Sequence, residues 1–163
     1  MPTHAVRRAA GGSVPTAIWV LVVLLGLHAA GLLLTAVLFP VLAFFGFFVT
    51  GLAARVVLIM LTAVWIWLAW SCYQRDVRGW RAAMGFSILF GMSSIITNLR
   101  HSADDIYRVM NLPKPPSTPL AAISASGSFR IGLAAVFLVA YLGLLLYTKR
   151  HFPSPSKQTN LRR

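Results

Sequence analysis

An uncharged run of 46 residues, from Ala9 to Ala54, constrains this chain more than any other feature of its sequence. As one α-helix it would be about twice as long as the hydrocarbon core of a membrane is thick, because a helix rises about 1.5 Å per residue. The run must therefore turn. Pro40 is the expected break, since proline lacks a backbone donor and disfavours helix for the residue before it. A first membrane span is predicted from about Thr16 to Phe39.

The composition of the 163 residues also indicates a membrane protein. Charged residues make up 11% of the chain and hydrophobic residues 58%, whereas soluble domains carry roughly 25% charged residues. This is too little charge for a soluble surface and too much apolar surface for a disordered chain. Three more segments are long and apolar enough to span a bilayer: about 54–73, 80–99 and 129–147. The predicted fold is all-α, a four-helix transmembrane bundle over 16–147, between an N-terminal segment (1–15) and a basic tail (148–163).

The basic residues predict how the four spans are oriented. Of the 15 lysines and arginines, ten lie on the side of the termini and the second connection, and five on the side of the first and third connections. Both termini are therefore expected in the cytoplasm, with the spans in the cell inner membrane. Five aromatic residues are predicted at headgroup depth on the cytoplasmic side: Trp19, Trp70, Tyr73, Trp80 and Tyr147.

The net charge of +12 is typical of nucleic-acid binding only where basic residues cluster on a polar domain. Here they stand between apolar runs, so the lipid bilayer is the expected partner and nucleic acid is not. The basic tail is expected to attract anionic lipid at the cytoplasmic face.

The first connection, 40–53, is too apolar to lie free in water, with four phenylalanines around Gly46. Either it lies in the membrane interface or it re-enters the bundle. The interfacial alternative is favoured, because a re-entrant segment needs polar ligands and this one offers only Thr50.

The third connection, the predicted outer loop 100–128, contains Ser102 and Asp105 at the spacing of a capping box. Apolar residues then recur at i, i+3, i+4 and i+7 from Ala103. This spacing predicts a short amphipathic helix from Ala103 to about Asn111, with its apolar face on the membrane surface or on the bundle.

His28 lies close to the middle of the first span, where an ionisable residue suggests a function. No span holds a carboxylate to pair with it, and haem would need a methionine as its second axial ligand. The favoured interpretation is a neutral imidazole that is hydrogen-bonded to a backbone carbonyl or to a hydroxyl such as that of Thr62 or Ser87. These three residues form a candidate intramembrane polar site, and no cofactor is predicted.

Two further groups of residues are candidate sites. Small residues recur along one face of the third span and predict a helix-packing seam: Ala83, Ser87, Gly91 and Ser94. This seam is expected to pair with small residues of the first span: Gly26, Ala30 and Gly31.

At the outer face, polar residues converge into a cluster: Arg55, Asn98, Arg100, His101, Asp104, Asp105 and Arg130. The cluster either binds an anionic headgroup or solute, or, as favoured, consists of snorkelling arginines neutralised by the two acids.

The chain contains no glutamate, which removes most carboxylate chemistry. Neither a Ser, His, Asp grouping nor a Gly-rich phosphate loop nor an HExxH metal motif is present. The single cysteine, Cys72, can form neither an intramolecular disulfide nor a thiolate metal site alone. No catalytic or metal-binding residue is therefore predicted, and the chain is not expected to be an enzyme.

The second connection reads Trp-Ser-Cys-Tyr-Gln-Arg-Asp-Val-Arg-Gly-Trp-Arg-Ala-Ala over 70–83. In span count, size and this turn leading into Gly79, Trp80 and Arg81, the chain resembles small four-span bacterial inner-membrane proteins of unassigned function. The resemblance implies no catalytic residues. The expected function is association with another membrane protein or with a second copy, as a subunit or accessory. The alternative is a small transporter or carrier of an apolar or anionic solute.

Overall fold

The computed structural model describes residues 15–113, 118 and 123–152. The chain is mostly helical, and the described part holds four helices long and apolar enough to cross a membrane. In chain order its elements are α1 (Thr16–Leu38), β1 (Val41–Phe44), β2 (Phe47–Thr50), α2 (Gly51–Tyr73), α3 (Val77–Arg100), α4 (Ala103–Val109) and α5 (Gly127–Thr148), with a 3₁₀ turn over Lys149–His151. The four long helices, α1, α2, α3 and α5, match the predicted spans to within three residues at each end. Most of the N-terminal segment and of the basic tail lies outside the described residues.

Helices α1 and α2 are antiparallel neighbours. At one end the ring of Trp19 lies 5.5 Å from that of Tyr73, and at the other Arg55 Nε lies 3.1 Å from the carbonyl oxygen of Ala36. We call the end where α1 and α3 finish and α2 and α5 begin the hairpin end, and the opposite end the turn end. The buried residues of α1 recur at helical spacing: Ile18, Leu21, Leu25, Ala29 and Ala36.

Helices α3 and α5 form the second close pair. The indole Nε1 of Trp80 donates to the carbonyl oxygen of Leu145 at 2.9 Å. Trp80, predicted at headgroup depth, is buried against α5 and only 7% exposed. The other four aromatic residues assigned there are exposed at the turn end: Trp19, Trp70, Tyr73 and Tyr147.

A tight turn joins α2 to α3. The N–H of Asp76 donates to Ser71 and that of Arg75 to Cys72, the two bonds of a Schellman motif, with Arg75 at φ 58° where glycine is usual. The Asp76 side chain then caps α3 by accepting from the N–H of Arg78. Gly79 packs directly on the Ser71 side chain and leaves no room for a Cβ, which explains the glycine before Trp80.

The first connection is an antiparallel β-hairpin, which an all-α prediction does not include. Val41 pairs with Thr50 and Phe44 with Phe47, and Phe45 and Gly46 form the two-residue turn. Both turn residues have positive φ, 49° and 79°, as the favoured hairpin turns require. Such a φ is unusual for a bulky residue such as Phe45, so the surrounding structure must hold it.

Helix α4 begins with the capping box expected from the sequence. The Ser102 hydroxyl accepts from the N–H of Asp105, and the Asp105 carboxylate accepts from the N–H of Ser102 at 2.9 Å. This prediction is confirmed. The helix ends at Val109, two residues earlier than predicted, and Asn111 has a positive φ of 53° just beyond it.

Candidate functional site

The turn of the hairpin lies against α3 and is hydrogen-bonded to it. The N–H of Phe45 donates to the Ser93 hydroxyl at 2.9 Å, and the N–H of Gly46 to the Thr97 hydroxyl at 3.1 Å. Both hydroxyl-bearing residues are buried, at 2% and 5% exposure. The helix therefore supplies the acceptors that the apolar connection lacks.

The carbonyl groups of the same turn are bonded from the end of α3. Arg100 Nη1 lies 3.3 Å from the carbonyl oxygen of Phe45, and His101 Nε2 lies 2.8 Å from that of Gly46. The guanidinium of Arg100 also lies over the ring of Phe47 at 5.7 Å. Four hydrogen bonds thus fix the turn, and we refer to them as the hairpin latch.

The hairpin folds back along the helices rather than away from them. Ser93 lies seven residues before Arg100, roughly 10 Å inside the end of α3. The Phe44 ring reaches Phe90, with ring centroids 6.0 Å apart, and Phe90 contacts Trp65 of α2 at 5.8 Å. The polar ligands that the connection itself lacks come from a distant helix, so the hairpin can pack on the bundle without supplying them.

The predicted outer polar cluster is only partly brought together. Arg100 and His101 belong to the latch, and Arg130 joins them through Nη2, which donates to the carbonyl oxygen of His101 at 2.9 Å. Arg55 instead donates to Ala36 between α1 and α2. Asn98 bonds the carbonyl of its own helix at Ser94.

Arg130 is unusual because most of its donors have no acceptor. Nε and Nη1 are buried and unpaired among the described residues, which leaves three of the five guanidinium N–H groups without a partner. The Asp105 carboxylate accepts its hydrogen bonds at the start of α4. Hydrogen bonds from Ser102 hold its carboxylate in α4 and, with His101 and Arg108 nearby, lower its pKa. Asp104 lies beside it in the first turn of α4.

His28 does not bond Thr62 or Ser87, so this expectation is wrong. Both hydroxyls donate to the carbonyl four residues earlier in their own helices, at 2.8 and 2.6 Å, a common solution for such residues in apolar surroundings. His28 instead stacks on Trp65 with centroids 4.6 Å apart, and its ring lies 6.5 Å from that of Tyr141. His28 is itself exposed on α1.

Two residues beside His28 were not anticipated from the sequence. The indole N–H of Trp65 and the hydroxyl of Tyr141 are buried without a hydrogen-bond partner among the described residues. Tyr141 lies close to Ser87, but the two hydroxyls lack the geometry of a hydrogen bond. Both residues lie on other helices, and nothing in the sequence indicates that they meet His28.

The predicted packing seam of α3 holds in part. Ala83 and Ser87 are buried, and a Cβ on Gly91 would lie 2.5 Å from Leu138 of α5. Ser94, by contrast, is exposed. The buried face of α3 continues through Ser93, which bonds the hairpin.

The expected pairing of that seam with the first span is wrong. Gly26, Ala30 and Gly31 are exposed on α1, and neither glycine has an atom within 4 Å of an added Cβ. The main neighbour of α1 is α2, and that of α3 is α5.

Comparison with models of protein families, with curated proteins and with solved structures finds no match. Within the described part of the chain, no three His, Cys, Asp or Glu side chains lie close enough to hold a metal ion.

Proposed function

We propose that this chain is a non-enzymatic protein of the cell inner membrane that acts by association. The four long helices form a transmembrane bundle with both termini in the cytoplasm, where the basic tail lies against anionic lipid. Helix α4 rests on the opposite surface with its apolar face down. One face of α1 binds a helix of a second copy or of another membrane protein, so the chain serves as a subunit or accessory.

The observation that carries this proposal is the exposed imidazole of His28. It is the 13th of the 23 residues of α1, roughly 18 Å from the start of the helix and so near the middle of a bilayer. No hydrogen bond joins it to the described residues. A neutral imidazole carries one donor and one acceptor, and unpaired polar groups are unfavourable in apolar surroundings.

His28 belongs to a row that suits a helix partner. Residues spaced by 4, 3, 4 and 3 lie along one side of α1: Leu24, His28, Gly31, Thr35 and Leu38. This is the spacing of a helix-packing seam. All five are exposed or half-buried. Gly31 would let a second backbone approach closely, and His28 would supply the interhelical hydrogen bond.

The test compares two glycine variants and one histidine variant. In Gly31→Leu and Gly143→Leu the added Cβ has nothing within 4 Å, but Gly143 is on α5, outside the row. Association is measured by energy transfer between labelled copies in vesicles and by co-purification of tagged protein from native membranes. We expect Gly31→Leu to weaken association at least about tenfold and His28→Leu by about 3- to 30-fold. Gly143→Leu should have no effect. The proposal is wrong if the first two variants associate like the unchanged chain in both assays.

The orientation is tested separately. A reporter that is active only in the cytoplasm, fused after Arg163, should be active, and one fused into the connection between α3 and α5 should be silent. The reverse result would overturn the orientation and leave the association proposal standing.

A carrier of an anionic solute is the second candidate, and Arg130 is the observation that favours it. Among the described residues, three N–H groups of its buried guanidinium have no acceptor, and such donors favour an oxyanion. Uptake of radiolabelled phosphate and sulfate into proteoliposomes tests this candidate. Uptake that disappears in Arg130→Gln but persists in Arg108→Gln supports a carrier, and no uptake above empty vesicles excludes one for these two anions.

A further inference from the structure

A groove of about 200 Å³ lies between α1 and α2 at the hairpin end. Its walls are apolar except for one guanidinium, and the residues that line it are Leu33, Ala36, Val37, Arg55 and Ile59. This groove is separate from the row that contains His28, and nothing in the proposed function depends on it.

The way α1 ends explains why Arg55 points into the groove. In a helix the carbonyl of Ala36 would accept from the N–H of residue 40, but residue 40 is Pro40, which has none. Arg55 Nε takes that place and donates to Ala36 at 3.1 Å. The guanidinium is therefore tied to α1 by one N–H and cannot extend freely toward water as a snorkelling arginine would.

The other N–H groups of the Arg55 guanidinium are available to bind a ligand. Nη1 and Nη2 carry four further N–H groups, no other hydrogen bond joins Arg55 to the described residues, and the residue is exposed. Arg55 lies four residues, roughly 6 Å, from the start of α2, so in a bilayer it would stand within reach of the headgroups of one leaflet. An anionic oxygen is the acceptor that this group prefers.

We propose that this groove binds one membrane phospholipid, with its phosphate on the Nη groups of Arg55 and an acyl chain along Leu33, Val37 and Ile59. The guanidinium binds the phosphate and the apolar walls bind the acyl chain, so tight binding needs both parts of the ligand. Inorganic phosphate lacks the chain and diacylglycerol lacks the charge, so each should bind poorly.

The experiment is native mass spectrometry of the delipidated protein in detergent, titrated with dioleoyl phosphatidic acid, dioleoylglycerol or inorganic phosphate. One phosphatidic acid should bind saturably, and the other two should bind at least about tenfold more weakly, because charge-assisted hydrogen bonds contribute about 1.5–3 kcal/mol. Equal binding of diacylglycerol, or binding of phosphate alone, would overturn the proposal.

Matched variants distinguish loss of this site from a general effect of added bulk or of a lost charge. Ile59→Trp fills the groove and keeps the bond from Arg55 to Ala36, so it should abolish tight binding in a folded protein. Val56→Trp adds the same bulk at an exposed position outside the groove and should bind normally. Arg55→Gln should lose binding, whereas Arg108→Gln, which removes one charge at the same end, should keep it. Retained binding in Ile59→Trp, or equal losses in the two arginine variants, contradicts the proposal.

Discussion

Removing the Ser93 hydroxyl tests the hairpin latch most directly. In Ser93→Ala the N–H of Phe45 loses an acceptor that lies 2.9 Å away at a site only 2% exposed. A buried donor left unpaired is unfavourable by about 1–3 kcal/mol, and that range corresponds to about a 5- to 150-fold rise in the population of the open hairpin. Thr97→Val removes the second acceptor, 3.1 Å from the N–H of Gly46, with little change of shape.

Hydrogen exchange measured by mass spectrometry on peptides covering 41–50, with the protein in lipid nanodiscs, reports this opening. Exchange of the turn amides should speed up by the stated factor in Ser93→Ala, and further in the double variant. Ser94→Ala is the matched control, since the Ser94 side chain is next to Ser93 in the sequence but is exposed and makes no bond to the hairpin. If Ser93→Ala and Ser94→Ala exchange at the same rate, the latch does not hold the hairpin.

Three further predictions concern packing and capping. Gly79→Ala should lower thermal stability in detergent, because its Cβ would clash with Ser71, and adding Ser71→Gly should restore the melting temperature. Gly91→Leu should destabilise the α3–α5 contact by about 1–3 kcal/mol through overpacking, measured by denaturant unfolding; an unchanged transition would contradict that close contact. The pKa of Asp105 is lowered by Ser102, so its contribution to α4 is present above the ordinary aspartate pKa and is lost as pH falls through the lowered value. Amide chemical shifts of α4 should follow that titration, and Ser102→Ala should move its midpoint to higher pH.

The four long helices could be predicted because each is a long apolar run between charged or proline-containing segments. The capping box of α4 could be predicted because all its atoms lie within four residues. Local signals of this kind need no knowledge of neighbouring helices.

The hairpin could not be predicted, for three physical reasons. The strands Val41–Phe44 and Phe47–Thr50 are almost entirely apolar, so they lack the alternation of a half-buried strand. The turn has Phe45 at its first position, where an asparagine or glycine would signal positive φ. Its polar partners are 48 to 55 residues further along the chain.

The candidate sites were also only partly predictable from the sequence. Spacing correctly placed Ala83, Ser87 and Gly91 on one side of α3, but it could not say which helix faces that side. Helices that are apolar all round carry no hydrophobic direction to orient them. The close approach of Gly91 to α5, and the stacking of His28 on Trp65, therefore emerge only from the assembled helices.

The distance along the chain between the hairpin and its latch has a consequence for biogenesis. Ribosomes add about 5–20 residues per second, so roughly 3–10 s separate the synthesis of Phe45 from that of Ser93 and His101. During that interval the hairpin and α2 are completed, and the turn amides have no latch partner in the chain. Until α3 has been made, only water or headgroups can satisfy the turn amides, so the hairpin latch is among the later contacts that this chain can form.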